Sequence, residues 1–191
     1  MAATDIYLQG SGIKKTRLRL RFRLRKRILF LNLNLILNLY LKMLYFPKEI
    51  YNQIITHAKE AYPNEGCGAL IGEEHSEFRG DKEPEIAKNV LMVFRMKNIN
   101  KDRAKDRYEI DPKELLRVEK EAFANGLQVI GFYHSHPDHP DMPSAFDRER
   151  AWPFYSYVII SVKRRKEISV KSWTFEDEKE PFKEEEVKIV N

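Results

Sequence analysis

A capped helix that runs directly into a buried strand constrains the fold of this chain more than any other feature. In DPKELLRVEKEAFANG, Asp111 suits the helix cap and Pro112 the first helical position. Glu114 is placed to close a capping box, and Gly126 to end the helix. The apolar run LQVIGFYHSH follows at once and is typical of a buried strand that Pro137 terminates. Alternation of helix and strand at this spacing predicts a layered structure.

The remaining segments continue the alternation. FPKEIYNQIITHAKEAYP predicts a helix that has Pro47 at its first position and ends at Pro63, and SAFDRERA predicts a short helix beginning at Ser144. GEEHSEFRGDKEPE has the composition of a polar turn region. Five further runs predict strands: CGALIG, NVLMVFRMKN, YSYVIISV, KEISVKSWTF and EEVKIV. We therefore predict an α/β fold with a mixed central β-sheet flanked by helices, in one domain over residues 43–191.

The first 42 residues differ from this domain in charge and complexity. They carry ten Lys/Arg and one Asp, a net charge of +9, which leaves −4 for residues 43–191 within the formal total of +5. Leu or Phe alternates with Arg and then with Asn, which is formally the period of a strand, although a ribbon of this length would be an exposed edge. We interpret residues 1–42 as a low-complexity basic tail. Two readings stay open: an upstream extension absent from the mature protein, or an appendage that binds nucleic acid.

Composition argues against export and membrane insertion. The asparagines of the tail interrupt the apolar core that a signal peptide or a membrane span requires. The single cysteine, Cys67, excludes an internal disulfide framework and any zinc ribbon built from cysteine pairs, and it fits a reducing cytoplasm. We expect a cytoplasmic protein without a membrane partner, in which any bound metal has nitrogen and oxygen ligands.

The stretch GFYHSHPDHPDMPSAFDRER concentrates imidazoles and carboxylates at the end of a predicted strand. His134 and His136 are two residues apart, so on a strand both rings project from one face with Cα atoms about 6.7 Å apart, close enough to reach one ion. Ser135 between them is expected to face away. Asp147, in the first turn of the helix that begins at Ser144, is the favoured third ligand. Two histidines and one aspartate leave a fourth position open for water, which is the arrangement of catalytic zinc.

Simpler interpretations exist for each of these residues. SAFD is itself a capping box, in which Ser144 and Asp147 would only close the helix terminus. His139 is an alternative third ligand, although the prolines around it direct its loop outward. The other candidates are interpreted as structural or solvated side chains: His57, His75 and Cys67.

The order and spacing of these residues match a known family motif. HSH, seven residues, Ser144, two residues and Asp147, with Glu65 upstream in YPNEGCGALIG, resemble the motif of the JAMM (JAB1/MPN) metallopeptidases. The resemblance extends loosely from about Met43 to the last strand, and it is greatest to small stand-alone prokaryotic members. It implies the JAB1/MPN architecture, which is similar to that of cytidine deaminases.

The resemblance also implies roles for individual residues. By position in the motif, His134, His136 and Asp147 would bind Zn²⁺. Glu65 would be the general acid/base that takes a proton from the attacking water and returns it to the leaving amine. Ser144 would stabilise the oxyanion.

The implied reaction is hydrolysis of a peptide or isopeptide bond next to the C-terminal Gly-Gly of a ubiquitin-like protein, in particular a sulfur-carrier protein. A tail without side chains can enter a narrow groove and add as a strand to a sheet edge. No nucleic-acid partner is implied for the domain, and the oligomeric state is left open.

Two other functions remain as alternatives at this stage. One is a non-catalytic MPN scaffold, although such members lose the ligands that this chain keeps. The other is nucleic-acid binding through the basic tail, which predicts salt-dependent binding that is lost when residues 1–42 are deleted. A zinc deaminase is disfavoured because its His-x-Glu and Pro-Cys-x-x-Cys signatures are missing.

Overall fold

The computed structural model describes residues 42–77 and 85–191. The predicted basic tail lies outside these residues, apart from Lys42, and its interpretation stays a prediction. Within the described residues, strands and helices follow in this order: β1 (Lys42–Pro47), α1 (Lys48–Ala61), β2 (Cys67–Glu77), β3 (Glu85–Met96), α2 (Pro112–Ala124), β4 (Gln128–Pro137), α3 (Ala145–Arg150), β5 (Ser156–Lys163), β6 (Glu167–Thr174) and β7 (Lys183–Val190).

The sheet is mixed, as predicted, and it closes into a barrel in the order β1, β3, β2, β4, β5, β6, β7. Strand β1 runs parallel to both β3 and β7, and β4 runs parallel to β5, whereas the other neighbours are antiparallel. The closure was not anticipated. It depends on β1, which the sequence did not identify as a strand because its six residues directly precede a helix and its partners are distant along the chain.

Two helices cover opposite faces of this sheet. On one face, α1 contributes Ile54 and Ala58 to a core cluster that includes Leu70 and Val158. On the other face, α2 packs in a cluster with Phe132. Because side chains alternate along a strand, the residues two and four positions after Phe132 share its face. The α2 side of the sheet is therefore the side that carries the two histidines of the HSH sequence.

The ends of α2 largely follow the sequence prediction. The Asp111 side chain accepts a hydrogen bond from the backbone N–H of Lys113 at 2.8 Å. Glu114 does not close the predicted capping box, since its carboxylate lies 3.4 Å from the backbone nitrogen of Lys97 and accepts from it instead. Gly126 has φ +71°, the left-handed conformation that ends a helix without strain in glycine.

Two boundaries differ from the sequence prediction. Pro47 is the cap of α1 rather than its first helical residue, because it is also the last residue of β1. Strand β2 continues to Glu77, into the predicted polar turn region, because its residues after Gly72 pair with β3. Among the described residues, no helix combines the length and the apolar character needed to cross a lipid bilayer.

Candidate metal centre

Strand β4 brings the two histidines together. Their Nε2 atoms lie 3.0 Å apart, and both side chains are buried. The strand lies between β2 and β5, where His134 pairs with Cys67 on one side and Ile159 on the other. Backbone pairing on both edges fixes the register of β4 and therefore the face of the sheet from which both side chains project.

Helix α3 supplies a carboxylate to the same place. Asp147 Oδ1 is 3.2 Å from His134 Nε2, and Asp147 Oδ2 is 3.6 Å from His136 Nε2. The capping box of the simpler interpretation is also present: Asp147 Oδ2 accepts from the backbone N–H of Ser144 at 2.7 Å and from its hydroxyl at 2.6 Å. One carboxylate thus closes the helix terminus and faces the imidazoles, so the two interpretations of SAFD are compatible.

The three side chains have the donor set of a catalytic zinc site. One ligand atom from each of His134, His136 and Asp147 lies within 4.8 Å of the others. Ligands about 2.0–2.1 Å from a tetrahedral zinc are roughly 3.3 Å apart, close to the 3.0 Å and 3.2 Å separations at His134 Nε2. His136 Nδ1 is 2.7 Å from the Pro140 carbonyl, and donation to that oxygen leaves the lone pair on Nε2. The alternative ligand His139 is exposed and lies outside this group.

Glu65 reaches the centre from the segment before β2. Its Oε1 atom is 3.9 Å from His136 Nε2, and the side chain is buried. Its backbone is held on both sides: the N–H donates to the Ala104 carbonyl at 2.7 Å, and the carbonyl accepts from the Asn98 side chain at 3.2 Å. The structure therefore brings together all the residues that the motif singled out, with Ser144 at the exposed edge.

Burial acts to raise the pKa of both carboxyl groups, and their different neighbours separate their protonation behaviour. Burial raises the pKa of Glu65 to about 8, an effect that His136 opposes and that Asp147 and Asp106 reinforce. Burial would also raise the pKa of Asp147, but His134 and the hydrogen bonds from the histidines and Ser144 hold that pKa far below its usual range. One carboxyl group can thus hold a proton near neutral pH while its neighbour remains an anion.

The pKa values of the two imidazoles are shifted in opposite directions. Burial lowers the pKa of His134 despite the nearby Asp147 carboxylate. Burial alone would lower the pKa of His136 too, but the hydrogen bonds to Asp147 and Pro140 outweigh it and raise that pKa. A neutral His134 is the form that can bind a metal ion.

Sequence reasoning missed three residues that position this centre. The ring of Tyr108 stacks on that of His134 with centroids 4.5 Å apart. Asn98 links the Glu65 carbonyl to the Arg107 carbonyl, and its own oxygen accepts from the Glu109 backbone at 3.1 Å. These contacts arise in an irregular segment, where no periodic pattern could have indicated them.

Ser135 is the third of these residues. It faces away from the His-His-Asp cluster, as expected, but its hydroxyl accepts from the Gly66 N–H at 2.9 Å. The Ser135 N–H donates in turn to the Gly66 carbonyl at 2.9 Å. This reciprocal pair joins the end of β4 to the residue after Glu65 and so fixes Glu65 relative to the histidines. The place of Ser135 within HSH was its only signal in the sequence.

Comparison with known proteins identifies relatives over most of the described chain. A family model described as prokaryotic homologs of the JAB domain matches residues 47–176. A desampylase of Haloferax volcanii is 33% identical over 134 residues, which cover 68% of this chain and 86% of the relative. A CysO-cysteine peptidase of Mycobacterium tuberculosis is 28% identical over 68% of this chain and 80% of the relative. A protein of Desulfitobacterium hafniense solved in solution is 31% identical with a TM-score of 0.64, covering 79% of this chain and 94% of that one.

Proposed function

This chain belongs to the prokaryotic JAB family of JAMM-type hydrolases, and from that premise we propose that it cleaves the bond after the C-terminal Gly-Gly of a ubiquitin-like protein. The desampylase and the CysO-cysteine peptidase support hydrolysis of conjugates of ubiquitin-like proteins in general. A sulfur-carrier protein is the specific substrate that we propose. The bond is a peptide or an isopeptide bond.

One observation carries the proposal: a buried carboxyl group, Glu65, lies beside a His-His-Asp cluster. His134, His136 and Asp147 would hold zinc, and their donor atoms fit that metal. The chemistry that zinc supplies when bound is that of a Lewis acid and a source of hydroxide near neutral pH. A scaffold protein would have no use for a proton-transfer group 3.9 Å from one of these histidines.

Glu65 is the group that we propose to move the proton. Its Oε1 faces His136 Nε2, so this atom would accept the proton of the attacking water and donate it to the leaving nitrogen. Burial raises the pKa of Glu65 to about 8, so this carboxyl group can both accept and donate a proton near neutral pH. Asn98 and Ser135 hold the peptide unit that follows Glu65. The Ala104 carbonyl holds the Glu65 N–H, so the backbone that carries this carboxylate is fixed on both sides.

Ser144 is the group that we propose to stabilise the oxyanion. Its hydroxyl lies at the exposed N-terminus of α3 and donates to Asp147 Oδ2 at 2.6 Å. The backbone N–H of Ser144 bonds the same oxygen, so the carboxylate keeps one cap interaction when the hydroxyl turns to a substrate. A hydroxyl at this position contributes about 3 kcal/mol in comparable oxyanion holes.

The test is cleavage of a ubiquitin-like protein extended beyond its Gly-Gly, followed by mass spectrometry. We expect Glu65→Gln to lower kcat by about 10²–10⁴-fold, because the amide cannot accept the proton. Ser144→Ala should lower it by about 10²-fold. The matched control is Glu119→Gln, an exposed carboxyl group on α2, which should cleave like the wild type. Full activity of Glu65→Gln, or the absence of any cleavage at Gly-Gly by the zinc-loaded wild type, would refute the proposal.

A further inference from the structure

A cavity of about 560 Å³ opens next to the metal centre. Asp147 forms part of its wall, so the cavity and the His-His-Asp cluster share a side chain. The other wall residues are mainly apolar or aromatic, among them Ile110, Leu115 and Trp152. This volume and lining are typical of a pocket that binds a small apolar group.

The position of the cavity along β4 relates it to the reacting bond. Phe132 forms part of the cavity wall and precedes His134 by two residues, on the same face of the strand. One such step is about 6.7 Å, which is the reach of a side chain on the residue next to the scissile bond. When the scissile carbonyl of a substrate lies at the metal centre, the side chain of a residue next to the scissile bond therefore lies at the cavity.

Hydrogen bonds and aromatic packing within the protein hold the wall in place. The Tyr157 hydroxyl accepts from the Trp152 N–H at 2.6 Å and donates to the Trp152 carbonyl at 3.1 Å, which fixes the backbone of the tryptophan. Phe132 packs between them, with its ring centroid 6.1 Å from each of these two aromatic rings. Trp152 nevertheless keeps 54% of its surface exposed, so the cavity has an apolar opening. A preorganised apolar pocket loses little entropy when it is filled.

We propose that this cavity is the specificity pocket for the leaving amine, and that it takes an apolar or aromatic side chain of the residue that follows the scissile bond. The inference rests on the proposed function. Two glycines on the acyl side have no side chain to fill the cavity, so its occupant comes from the amine side. Burying an apolar side chain there changes kcat/KM by about tenfold or more relative to glycine.

The test compares a ubiquitin-like protein extended after Gly-Gly by Phe with one extended by Gly, using the full zinc-loaded chain. The wild type should cleave the Phe extension with a kcat/KM about tenfold higher or more. Leu115→Trp fills the cavity and should reduce the ratio to about twofold or less, because the Phe side chain then loses its binding site. Leu116→Trp is the matched control, since Leu116 is exposed on the same helix and should leave the ratio unchanged. Trp152→Ala, at a half-exposed position, removes a wall without disturbing the core and should also lower the ratio.

A binding measurement separates this inference from the proposed function. In saturation-transfer NMR, phenylalaninamide should receive signal from the wild type and Leu116→Trp but not from Leu115→Trp, and glycinamide from none of them. Cleavage of both extensions at equal rates would overturn the pocket and leave the proposed function intact. Absence of cleavage together with binding of phenylalaninamide would overturn the function and support the pocket. An unchanged Phe preference in both Leu115→Trp and Trp152→Ala would also overturn the pocket.

Discussion

At the scale of single residues, the ring of His134 is held by packing. Its Nδ1 atom is buried and has no hydrogen-bond partner among the described residues, whereas metal-binding histidines usually donate that N–H to a second group. His136 follows the usual pattern through the Pro140 carbonyl. We infer that stacking against the ring of Tyr108 orients the His134 imidazole in place of that hydrogen bond.

Tyr108→Ala tests this role of the stacked ring. We expect a zinc affinity about 10–100-fold lower than that of the wild type, because the His134 imidazole gains freedom that binding must then remove. Tyr108→Phe keeps the ring and should bind zinc as the wild type does. Competition with a chromophoric chelator measures both affinities. Equal affinity in Tyr108→Ala would show that β4 alone orients the histidine.

The buried thiol of Cys67 makes the free energy of unfolding depend on pH in the alkaline range. The residue is fully buried, and burial raises the pKa of its thiol to about 12 from an ordinary value of 9.0. Below pH 9 the thiol is neutral in both states and has no effect. Above pH 9 the unfolded chain releases the proton while the folded chain keeps it, so the free energy of unfolding falls as pH rises towards 12.

Urea unfolding of the metal-free protein at pH 8 and pH 10 measures this loss. Between these values the wild type should lose about 1.3 kcal/mol more than Cys67→Ala does. Burial raises the pKa of Tyr133 and Tyr157 in both proteins, so most of their contribution cancels in the difference. An identical pH dependence in the two proteins would mean that the thiol ionises without unfolding.

At the scale of elements, the C-terminus of α2 determines the backbone conformation of the short connection that leads into β4. Gly126 has φ +71°, its N–H donates to the Phe123 carbonyl at 3.0 Å, and the Leu127 N–H donates to the Ala122 carbonyl at 3.0 Å. A Cβ atom added at Gly126 would meet nothing within 4 Å. Any loss of stability on adding a side chain at Gly126 therefore comes from backbone strain and not from a steric clash.

Gly126→Ala should lower the free energy of unfolding by about 1–2 kcal/mol, because an L-residue is strained in the left-handed region. Gly126→Asn should cost less, since asparagine tolerates this conformation. Chemical denaturation of the three proteins gives the order of stability. Wild-type stability in Gly126→Ala would show that the connection adopts another conformation at little cost.

The sequence predicted the elements that depend on local patterns. The caps of α2, the buried strand β4 and the short α3 all follow from residues near in sequence, and so does the shared face of His134 and His136. Strand β1 escaped prediction because its pairing with β3 and β7 depends on contacts distant in sequence. Tyr108 and Asn98 escaped because their roles arise from tertiary packing in an irregular segment. The placement of Glu65 came from the motif, since nothing local links it to β4.

At the scale of the whole molecule, a buried polar network joins strands around the closed sheet. Lys88 on β3 donates to the hydroxyl of Ser156 on β5 at 3.1 Å, and Ser156 donates to Glu185 on β7 at 3.1 Å. Ser172 on β6 donates to the other oxygen of Glu185 at 2.6 Å. Burial lowers the pKa of Lys88, an effect that Glu185 opposes. The network connects β3 to three strands that follow it much later in the chain, β5, β6 and β7.

Glu185→Leu should lower the free energy of unfolding by about 3–5 kcal/mol, because it removes the main counter-charge of the buried Lys88 ammonium. The double variant Lys88→Met with Glu185→Leu should recover part of this loss, since no isolated charge remains. A double-mutant cycle from urea unfolding gives the coupling between the two sites. Additive losses would mean that the two charges do not interact through Ser156.

The most direct test of the metal centre is the zinc content of purified variants after dialysis, measured by mass spectrometry. The wild type and Glu65→Gln should each retain about one zinc per chain, because Glu65 is not a ligand. His136→Ala should retain almost none, whereas His139→Ala, which removes an exposed histidine three residues away, should bind zinc like the wild type. Retention of zinc by His136→Ala, or its loss in Glu65→Gln, would contradict the assignment of ligands and base.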